Sequence, residues 1–358
     1  EYQFPSSPQF FVGRKGVLSQ FDEFVEKVKD RRTTSRGLLF TGNSGWGKSS
    51  VILACVDRLQ KQRDFALAID SRTVSSPQFI LKAIEHTLAK FNDFDGIIPI
   101  TEIREVSGFS GVGDVLIGIG KRLEERDKVL FVFFDQFENM FFKVDALHRI
   151  KEVFLKVCDA QTNVVFGFAW KTDIIGQVQS FPYQMKDEIT SRSYSIPLDV
   201  FSDVETDALL DELQREIRVR LRQDLRFILS DFSQGFPWLL KKLCAHVKAQ
   251  YDSGVPQASL ANSLLNVEEL FQNDLRDLQP EEENTLRKLS KLVPIDAMDL
   301  GEGFDPILVR TLVDRRLLVR VGSKYDVYWD IFRDYLNTGR LPVQENYILR
   351  VATSTVLR

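Results

Sequence analysis

Eight residues near the start of the chain have the types and the spacing of a phosphate-binding loop. Residues 42–49 read Gly-Asn-Ser-Gly-Trp-Gly-Lys-Ser, which fits G-x-x-x-x-G-K-[ST] at every fixed position. Glycines let backbone N–H groups turn inward around phosphates, Lys48 reaches the β- and γ-phosphates, and Ser49 supplies a hydroxyl to Mg²⁺. We therefore expect a site for ATP or ADP with Mg²⁺. Its predicted binding residues are Gly42, Asn43, Ser44, Gly45, Trp46, Gly47, Lys48, Ser49 and Ser50.

An apolar run that ends in an acidic residue supplies the second half of such a site. Residues 129–134 are all apolar and Asp135 follows them, as expected for a buried strand with a carboxylate at its end. Asp135 is predicted to hold the Mg²⁺ shell through water, so that Ser49 and Asp135 are the metal-binding candidates. Glu138 is the candidate base that activates water. Gln136 stands where many fast ATPases carry a glutamate, which predicts slow hydrolysis.

Two basic residues are candidates for contact with the γ-phosphate. Lys171 follows the apolar segment 163–169 and is a candidate sensor at a strand end; an ordinary strand-end lysine is the equal alternative. Arg192 precedes the next predicted strand and is a candidate arginine finger toward a neighbouring subunit's phosphate. A solvated arginine is the competing interpretation for Arg192. The predicted catalytic residues are thus Lys48, Asp135, Glu138, Lys171 and Arg192.

Alternating strands and helices must position these residues. The apolar patterns predict an α/β fold, a P-loop NTPase parallel sheet with helices on both faces. A glycine-rich stretch, 108–120, is predicted to be loop and frayed helix. The predicted strands are 37–40, 65–69, 129–134, 163–169 and 193–197, and the predicted helices are 16–29, 48–59, 77–91 and 144–158.

The strand signal stops near residue 202, and the remaining sequence predicts two smaller domains. A helical lid is expected first, and a winged helix with a hairpin around Gly322-Ser323 follows. The lid helices are predicted at 203–214, 225–232 and 237–250. The later helices are predicted at 260–277, 280–291, 305–313 and 331–336, with strands at 317–321 and 325–329. The predicted domains are an N-terminal segment 1–36, the NTPase domain 37–200, the lid 201–254, the winged helix 255–342 and a further segment or linker 343–358.

Bulk composition restricts the partners and the compartment. The 358-residue chain has a formal net charge of −4, so no global positive field exists to hold nucleic acid. Three scattered cysteines and three scattered histidines argue against a disulfide framework or a zinc site and favour a cytoplasmic location. No apolar run is long enough to cross a membrane, so no membrane partner is expected. The sequence starts without a methionine and stops without a natural ending. These features predict additional domains or protein partners at both termini.

Four short motifs together carry a family resemblance. They are Phe11-Val12-Gly13-Arg14 before a helix, the phosphate loop, Asp135-Gln136-Phe137-Glu138, and Gly235-Phe236-Pro237. In this combination the chain resembles STAND-class P-loop NTPases, which are related to AAA+, NACHT and NB-ARC ATPases. The resemblance covers about residues 10–340. It implies that Val12, Gly13 and Arg14 pack beside the adenine and that Pro237 touches the base.

Two departures from the family pattern accompany the resemblance. Family members often have a second acidic residue near the position of Glu138, whereas Asn139 and Met140 follow it here. The Gly-x-Pro segment also lacks the lid arginine that some AAA+ enzymes use.

The resemblance implies a regulatory switch. In such proteins ADP favours a closed monomer, and ATP together with a trigger favours assembly. We therefore expect a slow ATPase that self-associates through its NTPase domain and signals to attached sensor or effector modules. Bacterial members of this class often act in defence against phage. ATP is the expected nucleotide because no guanine-reading NKxD motif is present.

An alternative function is that of a DNA-associated AAA+ ATPase, similar to initiator or transposition proteins. A winged helix would place its third helix in the major groove of duplex DNA and its wing on the backbone. Acidic residues interrupt that surface, and a structural winged helix packed against the lid is the competing interpretation. A metabolic kinase is a third alternative, for which no acceptor-pocket motif is present. The basic candidates for DNA contact are Arg310, Arg315, Arg316, Arg320 and Lys324, and the interrupting acids are Asp305, Asp314 and Asp326.

Overall fold

The protein divides into two compact units; the first covers residues 5–43 and 47–199, and the second covers residues 200–358 together with the short segments 1–4 and 44–46. A computed structural model describes residues 6–42, 45–74, 79, 80, 82, 83, 86, 109–171, 182–262, 267–276, 278–315, 317–321, 324–328 and 330–340. In this described part no helix combines the length and the apolar character needed to span a bilayer.

Strands and helices alternate along the first unit, and each of the five predicted strands is confirmed. The predicted helix 77–91 lies mostly outside the described residues, although residues 79, 80, 82, 83 and 86 are helical. The elements are α1 (Lys15–Lys29), β1 (Gly37–Gly42), α2 (Lys48–Lys61), β2 (Phe65–Asp70), α3 (Phe109–Glu124), β3 (Leu130–Asp135), α4 (Val144–Ala160), β4 (Val164–Lys171), α5 (Tyr183–Ser191) and β5 (Ser193–Pro197).

The five strands form one parallel sheet in the order β2-β3-β4-β1-β5. Because the strands are parallel, all their carboxyl ends meet at one edge of the sheet. Gly42 at the end of β1 is paired with Lys171 at the end of β4. Asp70 at the end of β2 is paired with Asp135 at the end of β3. The sheet therefore gathers the predicted phosphate loop and three polar strand ends at the same edge.

Successive strand residues enter different cores because side chains alternate between the two faces of a sheet. Val132 and Phe134 of β3 pack into one hydrophobic cluster, whereas Phe131 and Phe133 pack into the other. Both faces are thus covered, which explains why β3 is apolar along its whole length before Asp135. The strand is held rigidly on both sides, and so is the carboxylate at its end.

The glycine-rich stretch is a regular helix, so the prediction of loop and frayed helix for 108–120 is wrong over residues 109–120. Helix α3 runs through Gly111, Gly113, Gly118 and Gly120 to Glu124. A Cβ at Gly120 would overlap the side chain of Thr162, and one at Gly113 would lie 2.8 Å from Lys156 Cδ. Glycine at these two positions therefore permits close packing of the helix rather than a turn.

The second unit consists of helices and a small antiparallel sheet of three strands in the order β6-β8-β7. Three predicted lid helices are present, and the predicted helix 260–277 corresponds to two helices, with 263–266 outside the described residues. A strand and a helix at residues 295–303 were not predicted. The elements are α6 (Asp203–Ile217), α7 (Gln223–Ser233), α8 (Pro237–Asp252), α9 (Gln257–Asn262), α10 (Val267–Arg276), α11 (Pro280–Leu289), β6 (Ile295–Asp296), α12 (Ala297–Gly303), α13 (Pro306–Asp314), β7 (Leu318–Val321), β8 (Lys324–Val327) and α14 (Asp330–Thr338).

One hydrophobic cluster runs through the whole second unit. Leu239 and Leu243 of α8 belong to the same cluster as Leu312 of α13 and Phe332 of α14. Residues predicted as lid and residues predicted as winged helix therefore share a core. The division of this unit into two domains near residue 254 stays a prediction, and the predicted hairpin turn Gly322-Ser323 lies outside the described residues.

Candidate nucleotide site

The predicted phosphate loop connects β1 to α2 at the carboxyl edge of the sheet. Gly45 and Gly47 have φ angles of 76° and 89°, which residues with a Cβ rarely adopt. Gly47 is the N-cap of α2, so the first N–H groups of this helix face the loop, as in sites that bind phosphate. Trp46 between them is half-buried. Asn43 and Ser44 lie outside the described residues.

The lysine of the motif folds back over its own loop. Lys48 Nζ donates a hydrogen bond to the carbonyl oxygen of Gly42 at 2.9 Å. This bond holds the ammonium group above the loop, where the phosphates of a nucleotide would enter. Ser50, in contrast, accepts a hydrogen bond on Oγ from the backbone N–H of Ser6 at 3.0 Å, which ties the N-terminal segment to α2.

The two predicted metal-binding residues are in contact. Ser49 makes a side-chain hydrogen bond to Asp135, and the backbone N–H of Gln136 donates to Asp135 Oδ1 at 2.9 Å. Burial raises the pKa of Asp135 above its ordinary value and the carboxylate of Asp70 adds to this, while the Ser49 hydrogen bond and Lys48 oppose it. A hydroxyl and a carboxylate side by side are oxygen donors of the kind that Mg²⁺ prefers.

The protein offers few metal ligands at this site, as expected for a metal ion whose other ligands come from the nucleotide and from water. Across the described ranges no group of three or more His, Cys, Asp or Glu side chains is placed to hold a metal ion. Mg²⁺ in nucleotide sites is typically bound through one or two protein groups together with phosphates and waters. Ser49 and Asp135 therefore fit Mg²⁺ better than they fit a metal such as Zn²⁺, which needs a full set of protein ligands.

A carboxylate that sequence reasoning missed lies next to Asp135. Arg72 Nε donates to Asp70 Oδ1 at 3.0 Å and Arg72 Nη2 donates to Asp70 Oδ2 at 2.7 Å. Arg72 is buried, with 7% of its surface exposed. This two-point pairing compensates the charge of Asp70 beside Asp135. An Asp-x-Arg spacing directly after the strand 65–69 was the only signal in the sequence.

The candidate base is buried close to the end of β3. Glu138 belongs to a short 3-10 segment, Phe137–Phe142, and 6% of its surface is exposed. Gln136 takes a left-handed conformation with φ 51° and turns the chain immediately after Asp135. The backbone carbonyl of Gln136 accepts a hydrogen bond from Asn139 Nδ2 at 2.9 Å, which fixes this turn.

The sheet brings Lys171 to the site but places Arg192 elsewhere. Lys171 is paired directly with Gly42, beside the phosphate loop. Arg192 precedes Ser193, which is paired with Gly37 at the start of β1. The opposite ends of β1 are roughly 17 Å apart, at about 3.3 Å per residue. The side chain of Arg192 is 54% exposed, and its Nη1 lies 3.1 Å from Asp159 Oδ1.

The residues expected beside the adenine lie in both units. Val12, Gly13 and Arg14 precede α1; Gly13 and Arg14 have φ angles of 78° and 57°. The Arg14 guanidinium is buried and its Nη2 donates to the main-chain oxygen of Asp199 at 2.6 Å. Pro237 is the buried first residue of α8 in the second unit.

Most of the basic residues proposed for DNA contact have acidic or aromatic neighbours. Nitrogen–oxygen distances are 3.9 Å for Arg310 with Asp314, 3.6 Å for Arg315 with Glu282 and 3.6 Å for Lys324 with Asp296. The Arg320 guanidinium lies 5.9 Å from the ring centre of Tyr325. Arg316 lies outside the described residues. These pairs reduce the positive potential of the surface that DNA would meet.

Comparison with known proteins places the chain among P-loop ATPases. The model of a family described as Novel STAND NTPase 1 matches residues 2–226. The solved Walker-type ATPase PABY2304 of Pyrococcus abyssi is 16% identical, covers 94% of this chain and 99% of its own, and superposes with a TM-score of 0.52. The Aeropyrum pernix ORC2 protein, solved as ADPNP–ADP complexes, is 15% identical, covers 94% of both chains and has a TM-score of 0.52. No curated protein sequence matches the chain. The two solved structures confirm the fold alone.

Proposed function

Because the chain belongs to the Novel STAND NTPase 1 family, we propose that it is a molecular switch driven by ATP. It binds ATP with Mg²⁺ at residues 42–50 and hydrolyses ATP slowly. Its nucleotide state controls self-association through the first unit and signalling to attached sensor or effector modules. Defence against phage, a role found among bacterial members of the class, is the setting we propose.

The observation that carries this proposal is the contact between Ser49 and Asp135. These residues come from different elements, α2 and β3, yet they meet beside the helix end where Lys48 lies over the loop. A serine hydroxyl and an acidic strand end are the two protein groups that P-loop NTPases use to hold Mg²⁺. Mg²⁺ bound there would neutralise negative charge on the phosphates of the nucleotide.

The remaining side chains support slow hydrolysis. We assign to Glu138 the removal of a proton from the attacking water, and to Lys171, beside Gly42, contact with the γ-phosphate. Glu138 is buried, so water has restricted access to its carboxylate. Gln136, the residue directly after Asp135, has no carboxylate to share this role. A switch of this kind can hold ATP long enough for assembly to occur.

The DNA-associated alternative has less support. Arg310, Arg315 and Lys324 each lie close to an acidic side chain, and binding to phosphates would have to compete with those neighbours. The whole chain is acidic as well. We therefore favour a protein or a small molecule over duplex DNA as the trigger of the switch.

Steady-state ATP turnover by the purified chain, with and without duplex DNA at moderate salt, tests the proposal. The expected turnover is on the order of one per minute or slower in both conditions, with Lys48→Ala as the background control. Strong stimulation by DNA would instead favour the DNA-associated ATPase. Failure to bind ATP in the presence of Mg²⁺ would reject the switch and the alternative together.

A further inference from the structure

Arginine is concentrated in one short segment of the second unit. The segment runs from the end of α6 to the start of α7, and we define its middle part, residues 218–222, as the arginine loop. Residues 215–226 carry five arginines and two acidic residues, whereas the whole chain has a formal net charge of −4. The five arginines are Arg215, Arg218, Arg220, Arg222 and Arg226. A positive patch of this kind attracts anionic groups locally, although the protein as a whole is acidic.

Three of these arginines are already paired with carboxylates. The pairs are Arg215 with Glu212, Arg222 with Asp224, and Arg226 with both Asp207 and Asp211. Arg218 and Arg220 are exposed, and across the described ranges their guanidinium groups form no hydrogen bond or ion pair. The second unit therefore presents two guanidinium groups that can bind an anionic partner without giving up a carboxylate of the chain itself.

The backbone of the arginine loop is held in place by the rest of the second unit. Leu221 is buried, and its N–H donates to Gln214 Oε1 at 3.1 Å. Gln257, at the start of α9, bonds to the backbone on both sides of Leu221. Its Oε1 accepts from the N–H of Arg222 at 2.9 Å, and its Nε2 donates to the carbonyl oxygen of Arg220 at 3.2 Å. A partner that binds here loses little affinity to ordering of the loop backbone, because that backbone is fixed before binding.

Apolar side chains are exposed in and near the arginine loop. Val219 lies between Arg218 and Arg220 in the sequence and is 42% exposed. Phe227, in the first half of α7, is 70% exposed. Arginine is also the only basic residue type between residues 187 and 240. Phenylalanine and arginine are enriched at interfaces between proteins, whereas lysine is depleted there, so this surface has the composition of a protein-binding site.

We propose that the arginine loop and Phe227 bind an acidic segment of a partner protein in which carboxylates alternate with apolar side chains. The carboxylates pair with Arg218 and Arg220, whose planar guanidinium groups suit two-point contact with a carboxylate. Apolar side chains of the segment cover Val219 and Phe227. The contact needs no nucleotide at residues 42–50, so it stands independently of the proposed ATPase activity.

A nucleic-acid backbone matches this surface less well. Two available guanidinium groups neutralise about two phosphates, which gives only weak affinity at physiological salt. The carboxylates of Asp207, Asp211 and Asp224 lie against the neighbouring arginines and repel an evenly charged phosphate chain. A phosphate backbone also leaves Phe227 exposed, whereas a peptide can cover it. These features favour an acidic peptide as the occupant.

Fluorescence anisotropy of labelled peptides, titrated with the full chain in the absence of nucleotide, tests the proposal. The main probe is a short peptide of Glu-Glu-Leu repeats, and Glu-Glu-Ser repeats of the same length are the second probe. We expect the wild-type chain to bind the first probe about fivefold more tightly, because only leucine covers apolar surface. Equal binding of both peptides, or no binding of either, would overturn the proposal. Titration of the same preparation with ATP and Mg²⁺ shows separately whether the proposed nucleotide site fails.

A double variant, Arg218→Ala with Arg220→Ala, tests the two guanidinium groups. The control, Arg310→Ala with Arg340→Ala, removes the same charge from exposed side chains of the same unit. We expect the affinity for the Glu-Glu-Leu peptide to fall about tenfold in the loop variant and less than about twofold in the control. Equal losses in the two variants would show that the peptide responds only to net charge, and the loop would then not be its site.

Phe227→Ala tests the apolar contact, with Ile307→Ala as its control. Ile307 is 74% exposed and lies in the same unit. Phe227→Ala should weaken binding of the Glu-Glu-Leu peptide about fivefold and leave binding of the Glu-Glu-Ser peptide unchanged, because only the first peptide covers the ring. A loss of similar size in Ile307→Ala would contradict the placement of the peptide beside α7.

Duplex DNA is the competing probe in the same assay. We expect it to bind more weakly than the Glu-Glu-Leu peptide at physiological salt. Tighter binding of DNA that disappears in the variant Arg218→Ala with Arg220→Ala would assign the two arginines to phosphates and overturn the acidic segment as their partner.

Discussion

Charged side chains at the nucleotide site are compensated by specific neighbours. Lys48 bonds to the carbonyl oxygen of Gly42, and Arg72 neutralises Asp70 next to the pair that Asp135 makes with Ser49. Compensation is required because a partly buried charge without a partner is unfavourable by several kcal/mol. Single substitutions at these side chains can therefore test the proposed nucleotide site one group at a time.

Substitution Lys48→Ala removes the ammonium group over the phosphate loop. We expect the affinity for ATP with Mg²⁺ to fall at least about 30-fold, which corresponds to about 2 kcal/mol for a lost charge-assisted contact. Lys61→Ala is the control, because Lys61 lies in the same helix with 74% of its side chain exposed. Titration with a fluorescent ATP analogue gives both affinities. Equal affinities in the two variants would show that the phosphates bind elsewhere.

Substitution Glu138→Gln tests the assignment of the general base. The amide keeps the shape of the buried side chain but cannot accept the proton from water, so turnover should fall about 100-fold or more while ATP affinity stays near that of the wild type. Single-turnover hydrolysis and equilibrium binding measure the two effects separately. Turnover at the wild-type rate would reject Glu138 as the base and direct attention to other groups at the sheet edge.

At the scale of single elements, α3 offers two glycines in opposite environments. A Cβ at Gly120 would overlap Thr162, whereas nothing lies within 4 Å of a Cβ at Gly118. Gly120→Ala should therefore destabilise the chain by about 1–3 kcal/mol through overpacking. Gly118→Ala should stabilise it by about 0.5–1 kcal/mol, because alanine is favoured over glycine inside a helix. Urea unfolding of both variants checks the opposite signs, and destabilisation of similar size in both would contradict the packing argument.

The sequence predicts an element well where a single physical signal dominates. Residues 129–134 are apolar throughout, and the structure places 130–134 in β3 between two cores. Helix α3 was missed because composition cannot distinguish a glycine that turns the chain from one, such as Gly120, that fits against Thr162. The two-residue strand β6 carries too few side chains to form a periodic pattern.

The sequence supplies candidate site residues where a local pattern exists. The phosphate-loop motif gives Lys48 and Ser49, and an apolar run that ends in an acidic residue gives Asp135. Asp70 and its partner Arg72 were missed because an acid and a base two residues apart also occur in ordinary turns. Only the pairing of β2 with β3 reveals that Asp70 stands beside Asp135. The bond from Arg14 to Asp199 joins distant parts of the sequence, and no local pattern could have predicted it.

At the scale of the whole molecule, a buried ionic contact ties together the segments predicted as lid and as winged helix. Lys242 of α8 is 3% exposed, and its Nζ lies 2.6 Å from Asp274 Oδ2 of α10. Asp274 Oδ2 also accepts a hydrogen bond from the hydroxyl of Tyr328 at 2.6 Å. The ammonium lies 4.7 Å from the ring centre of Phe271. Polar contacts therefore hold the helices of the second unit together, in addition to the hydrophobic core that they share.

Substitution Lys242→Met should destabilise the second unit by about 2–4 kcal/mol. Methionine fills the same volume, but it leaves the Asp274 carboxylate without its ammonium partner in a poorly solvated position. Lys248→Met is the control, because Lys248 forms an exposed ion pair with Asp252 on the same helix and should change stability by less than about 0.5 kcal/mol. Calorimetric unfolding measures both, and a small effect at Lys242 would mean that the hydrophobic cluster alone holds these segments together.

Arg192 raises the question of whether one subunit completes the site of another. It lies at the edge of the sheet opposite its own phosphate loop, so any contact with a γ-phosphate must occur between subunits. Arg192→Ala should then lower turnover only at protein concentrations that permit association. Lys48→Ala chains bind nucleotide weakly but keep Arg192. Mixing the two variants should therefore raise turnover above the sum of their separate rates, because mixed assemblies contain an intact loop next to an intact arginine. A mixture with no gain in turnover, or an equal loss of turnover in dilute Arg192→Ala, would assign Arg192 to its surface ion pair with Asp159.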